Sequence, residues 1–177
     1  MRHVANLVTL LRVALIVPFA LAVRAADAGA SGWPAAALFA IIAASDVVDG
    51  RLARRFAAAS GRGGVLDHGA DIAFLLTALG TYAGLGYAPW WVPASIAAAF
   101  AVYVATSLRS RAGPPRLIGS RLGHLGGVAN YVLVGVLVFN HTVGLDWLPA
   151  RLLTACFAAV PIYSGLSVVA RLRAGRH

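Results

Sequence analysis

Residues 34–53 read PAAALFAIIAASDVVDGRLA, and residues 66–86 read LDHGADIAFLLTALGTYAGLG. Each run is long enough to cross a hydrocarbon core of ~30 Å as a helix. Each also carries two aspartates toward one end, Asp46 and Asp49 in the first and Asp67 and Asp71 in the second. A chain in lipid must satisfy its backbone N–H and C=O groups internally, so an apolar run of this length reads as a helix. Arg55 to Leu66, with Gly61, Gly63 and Gly64, reads as a short flexible turn that returns the second helix antiparallel to the first. The four carboxylates then meet at one level.

Outward from this pair, windows of similar character recur at Leu7 to Val23, Trp91 to Leu108, Leu122 to Phe139 and Leu148 to Val169, which makes six with Pro34 to Ala53 and Leu66 to Gly86. The 177 residues are 60% hydrophobic and 12% charged, against roughly half and a quarter in a soluble domain. The segments between windows are too short to fold separately. The expectation is an all-α integral membrane protein with six transmembrane helices, a single domain over residues 1–177. A net charge of +9 would suggest a nucleic-acid partner in a soluble chain, but these arginines lie between apolar runs rather than on a polar surface. No nucleic acid is expected. Cys156, the single cysteine, sits in an apolar run and excludes a disulfide framework.

Arginine placement gives a direction, because cytoplasmic loops near spans are enriched in Lys and Arg. With both termini cytoplasmic, all of the 15 basic residues fall on that side except Arg24 and Arg151, which fall outside, and Arg12, which lies within the first span. Trp33, Trp90, Trp91 and Trp147 all fall at the opposite boundary, where amphipathic rings favour the interface. Arg12 also interrupts the apolar stretch that would otherwise resemble a signal peptide. Gly80 and Gly84 form a GxxxG, which in a chain with 19 glycines reads as incidental.

Asp46 and Asp49 are three apart and Asp67 and Asp71 four apart, so each pair projects from one helix face. Gly50 and Ala53 share the face of Asp46 and leave room for a bulky ligand. Like charges so close repel unless cations bind or some members protonate. Hard oxygen donors favour Mg²⁺ or Mn²⁺ over zinc or copper, and two such ions would form a clamp for phosphoryl transfer. The spacing does not fit an EF-hand, which also needs a terminal Glu. The plainer alternative is helix glue, with Asp49 paired to Arg54 or Asp71 to Arg12.

Asp46, Asp49, Gly50, Ala53, Arg54, Gly63, Asp67 and Asp71 together spell D-x2-D-G-x2-A-R-x8-G-x3-D-x3-D, which resembles the motif of the CDP-alcohol phosphotransferase family. The segment Asn6 to Arg12, NLVTLLR, also resembles bacterial phosphatidyltransferases of that family, in particular phosphatidylglycerophosphate synthases. The resemblance implies transfer of a phosphatidyl or similar group from CDP-diacylglycerol or another CDP-alcohol to a small hydroxyl acceptor, with release of CMP. It further implies a homodimer in a bacterial-type inner membrane, multi-pass, with its site open to the cytoplasm. By the same resemblance Asp46, Asp49, Asp67 and Asp71 would hold two Mg²⁺ or Mn²⁺ ions. Gly50, Ala53, Arg54 and Gly63 would surround the CDP moiety, and Asp71 would be the general base.

Glycerol 3-phosphate is the favoured acceptor, with Arg116 and Arg121 the candidates for its phosphate, since forked guanidinium groups suit phosphate. His68 and Ile72 stand where phosphatidylglycerophosphate synthases usually have Pro and Lys, so serine, inositol phosphate and other polyols stay open. His68, His124 and His141 read as ordinary interfacial residues. Two other classes compete, a small cation transporter and a non-catalytic membrane scaffold. A transporter needs polar residues through the membrane, whereas Pro34 to Ile42 and Phe74 to Tyr82 are largely apolar.

Overall fold

Helix follows apolar window throughout the chain: α1 spans Arg2–Asp27, α2 Trp33–Arg55, α3 Gly61–Gly84, α4 Trp91–Arg109, α5 Arg121–Val143 and α6 Ala150–Ala174. The computed structural model describes the backbone of residues 2–55, 61–109, 121–144 and 150–174, and the side chains of 9–46, 68–106, 125–144, 151–170 and 172–173. Trp147 and Arg116 lie outside the described residues. By length and composition, three described stretches suffice to cross a membrane: Thr9–Asp27, Leu125–Val143 and Arg151–Ala170. Trp33–Asp46 and Trp91–Thr106 are shorter apolar helical stretches among the described residues.

One expectation is corrected. Gly61, Gly63 and Gly64 do not form the turn before the third helix; they open it, because α3 already begins at Gly61. The intrinsic preference of glycine against helix amounts to only ~1 kcal/mol per residue, and long-range context overrides it. The connection between α2 and α3 is correspondingly short, residues 56–60.

At the other end of the bundle the turns are sharp for a specific reason. After α1, the Gly29 N–H donates to Ala26 O at 3.0 Å and the Ala30 N–H to Ala25 O at 2.9 Å. After α3, the Gly86 N–H donates to Ala83 O at 3.1 Å and the Tyr87 N–H to Tyr82 O at 2.9 Å. Both are Schellman caps, and both place glycine in the left-handed region, with φ of 95° at Gly29 and 87° at Gly86. The two capped ends are joined by the Tyr87 hydroxyl, which donates to Asp27 Oδ1 at 2.8 Å. That carboxylate beside it raises the Tyr87 phenol above its ordinary pKa. The start of α2 and of α4 lie at this same end, where Trp33, Trp90 and Trp91 are all exposed.

The helices close a ring in the order α1, α2, α5, α6, α4, α3, and α5 also reaches across to α1 and α3. On α1 the buried residues are Thr9, Arg12, Ile16, Phe19 and Val23, spaced three and four apart so that they form one stripe. Phe74 of α3 is buried where α1, α2 and α5 meet it. Its ring meets Phe19 of α1 at 5.3 Å, Tyr131 of α5 at 5.5 Å and Phe39 of α2 at 6.3 Å. Outside, α6 exposes Leu152, Ile162, Leu166 and Val169, and α1 exposes Leu10, Val17 and Leu21. Soluble monomers rarely leave such apolar faces open.

Gly32, in the turn before α2, packs closely against the backbone of α5. A Cβ there would stand 2.6 Å from the Thr142 Cα, while Thr142 Oγ1 donates to Gly32 O at 3.2 Å. At Gly80 a Cβ would meet nothing within 4 Å, so the GxxxG has no close-packed partner among the described residues. Gly32→Ala is therefore expected to destabilise the protein by about 1–3 kcal/mol through overpacking, and Gly80→Ala to be neutral, measured by thermal unfolding in detergent.

Candidate active site

Three helices bring charge to one level. Asp46 lies thirteen residues after the start of α2, Asp71 thirteen before the end of α3, and Arg12 fifteen before the end of α1. At 1.5 Å per residue each is about 20 Å from the shared tryptophan-bearing end. The Arg12 guanidinium forks onto both acids. Its Nη1 donates to Asp71 Oδ1, and its Nη2 is 3.4 Å from Asp46 Oδ1. Its Nε reaches Ser45 Oγ at 3.5 Å, and that hydroxyl donates to Ile42 O at 2.7 Å. From α5 the Tyr131 hydroxyl donates to the same Asp71 Oδ1 at 3.3 Å.

Exposure is graded across this cluster. The side chain of Arg12 is 0% exposed, that of Asp71 19% and that of Asp46 37%. The arginine is thus the floor of the site and Asp46 its open side. A charge buried this deeply persists only when it is paired and hydrogen-bonded, which the two carboxylates accomplish. Toward the tryptophan-bearing end, the interior is filled by Phe19, Phe74, Leu75, Ala78 and Leu79. No continuous polar path leads from the acids through the bundle among the described residues, in keeping with the apolar outer halves of α2 and α3.

Of the residues read from the sequence, the structure brings Asp46 and Asp71 together. Asp49, Gly50, Ala53 and Arg54 ride on α2, Gly63 and Asp67 on α3, and Arg121 opens α5; their side chains lie outside the described residues. The Arg12–Asp71 pairing weighed as helix glue is present, and Arg12 takes Asp46 as well. Sequence reasoning placed Arg12 in a span and named it only as the helix-glue partner of Asp71, without Asp46. The signal was its register, since it falls within the stripe of Thr9, Ile16, Phe19 and Val23, where a charge needs a partner. Tyr131 was missed altogether, because nothing local distinguishes it from other core aromatics. Of the histidines, His68 packs on Tyr103 at 5.3 Å and Phe100 at 6.0 Å, and His141 on Tyr87 at 5.1 Å.

The family model for CDP-alcohol phosphatidyltransferases matches residues 2–166. The chain belongs to this family. A search of curated proteins returns no match. Membership in the CDP-alcohol phosphatidyltransferases makes the protein a transferase of phosphate-containing groups that acts in lipid biosynthesis, with a CDP-alcohol donor and a hydroxyl acceptor. With three described helices long and apolar enough to cross a bilayer, and with this family membership, it is a membrane protein. Members of the family are generally dependent on divalent metal. The described donor set suits such an ion, because Asp46 and Asp71 already converge on one cation and both offer hard oxygen. No group of three His, Cys, Asp or Glu converges among the described residues, a set that excludes the side chains of Asp49 and Asp67.

Tyr131→Phe keeps the ring against Phe74 and removes only the donor to Asp71. The expected result is a loss of about 1 kcal/mol of stability, read as a lowered melting temperature with unchanged helical circular dichroism.

Proposed function

We propose that this family member transfers the phosphatidyl group of CDP-diacylglycerol to a small hydroxyl acceptor, glycerol 3-phosphate first among the candidates, and releases CMP. The observation that carries this reading is the meeting of Asp46 and Asp71, two motif acids from different helices, on one buried cation. In this reading all six helices span a bacterial-type inner membrane, both termini face the cytoplasm, and two copies form a homodimer.

Asp46, Asp49, Asp67 and Asp71 would hold two Mg²⁺ or Mn²⁺ ions. When bound, such ions neutralise the diphosphate and stabilise the charge that develops on the departing CMP. Asp71 takes the proton of the acceptor hydroxyl as its oxygen forms the new bond to phosphorus. The bond between that phosphorus and the CMP oxygen breaks, and CMP leaves with the electron pair. Tyr131 and Arg12 orient the Asp71 carboxyl for this role. Gly50, Ala53, Arg54 and Gly63 lie around the CDP moiety, with the small residues admitting it close to the backbone, and Arg116 and Arg121 receive the acceptor phosphate.

The test is CMP release from CDP-diacylglycerol by purified protein in detergent with Mg²⁺, across glycerol 3-phosphate, inositol phosphate, inositol and serine. Release with glycerol 3-phosphate that EDTA abolishes is expected, and release with another acceptor alone would reassign the substrate. Asp71→Asn is expected to lower turnover by at least about a hundredfold, the scale of general-base catalysis, with the protein still folded. Retained turnover would remove Asp71 from the base role.

A further inference from the structure

Arg12 is the one fully buried cation among the described residues, and it occupies carboxylate oxygens of two motif acids at once. Two aspartates at contact distance from a shared group carry two negative charges, and one guanidinium cancels half of them. A fork of donors fits this task better than a point charge, because Nη1 and Nη2 can address separate carboxylates. Ser45 and Tyr131 hold the arrangement from two sides, the hydroxyl of Ser45 at Nε and that of Tyr131 on Asp71. Arg12 lies in the buried stripe of α1 between Thr9 and Ile16, and its side chain is 0% exposed, whereas Asp71 and Asp46 beside it are 19% and 37% exposed.

We propose that Arg12 is the built-in counter-cation of the site: it occupies Asp46 and Asp71 before a divalent ion arrives, and its charge sets how tightly these carboxylates take that ion. This rests on the reading that Asp46 and Asp71 are metal ligands. A divalent cation approaching the pair meets a fixed positive charge a few ångströms away and must share oxygens with it. Both effects oppose binding. In return, the carboxylates stay neutralised and held at one level when no ion is present, which an isolated cluster of acids in an apolar bundle would not achieve. Arg12 is accordingly a positioning residue: it weakens metal affinity and keeps the ligands in place.

The experiment is a Mn²⁺ titration of the full chain purified in detergent, followed by calorimetry, for wild type, Arg12→Gln, Arg12→Lys and Asp67→Asn. Removing the charge in Arg12→Gln is expected to lower the Kd for Mn²⁺ by at least about tenfold. Arg12→Lys keeps the charge but cannot fork onto both acids, so about threefold tighter binding is expected; it decides the matter if the glutamine variant does not fold. A Kd that is unchanged or higher in the folded Arg12 variants, with wild-type binding that Asp67→Asn abolishes, overturns this inference alone. Absence of saturable binding in wild type and Arg12 variants alike, or binding that survives intact in Asp67→Asn, overturns the metal assignment of the proposed function and this inference with it.

Discussion

A guanidinium with no solvent exposure, tied to carboxylates on two neighbouring helices, is the constraint around which this bundle is arranged. An arginine in the middle of an apolar helix costs several kcal/mol in a bilayer unless it finds partners. Arg12 finds carboxylate partners on α2 and α3, while its neighbours in the buried stripe of α1 are Thr9, Ile16, Phe19 and Val23. The requirement to pair this charge fixes the relative height of α1, α2 and α3, since a slip of one helical turn would separate the groups by about 5 Å. Hydrophobic packing alone imposes no such register in lipid, where tails are as apolar as the side chains.

The remainder of the bundle supports that level. The Schellman caps after α1 and α3 end both helices at the same height, and the hydrogen bond from Tyr87 to Asp27 ties those ends together. One turn beyond Asp71, Phe74 gathers Phe19, Phe39 and Tyr131 into an aromatic layer that separates the charged part of the interior from the apolar part. The same α5 that supplies Tyr131 to this layer also supplies its hydroxyl to Asp71. Packing and site geometry thus share a residue.

Chemistry at a polar head group on a membrane lipid needs charged residues near the surface of an apolar protein, and this chain meets the need by concentrating its acids. Four of its 6 acidic residues lie within one motif. The graded exposure from Arg12 through Asp71 to Asp46 makes a site that is open on one side and floored by a cation on the other. The donor class of the family, a CDP-alcohol, is anionic.

The sequence by itself determined the number and order of the helices, because runs of some twenty apolar residues have few alternatives to helix. It also carried the motif of acids whose resemblance pointed to the family that the family model then showed, and the i, i+3 and i, i+4 spacing of those acids is a local feature that needs no reference to the rest of the chain. Even the short return between α2 and α3 was legible, although α3 takes in the glycines that local preference assigned to the turn. What only the tertiary structure decided was the set of partners. Arg12 and Asp71 are 59 positions apart, and Tyr131 and Asp71 are 60 apart. No local pattern encodes such a contact, which exists because burial forces a charge on one helix to find its complement on whichever helices pack beside it.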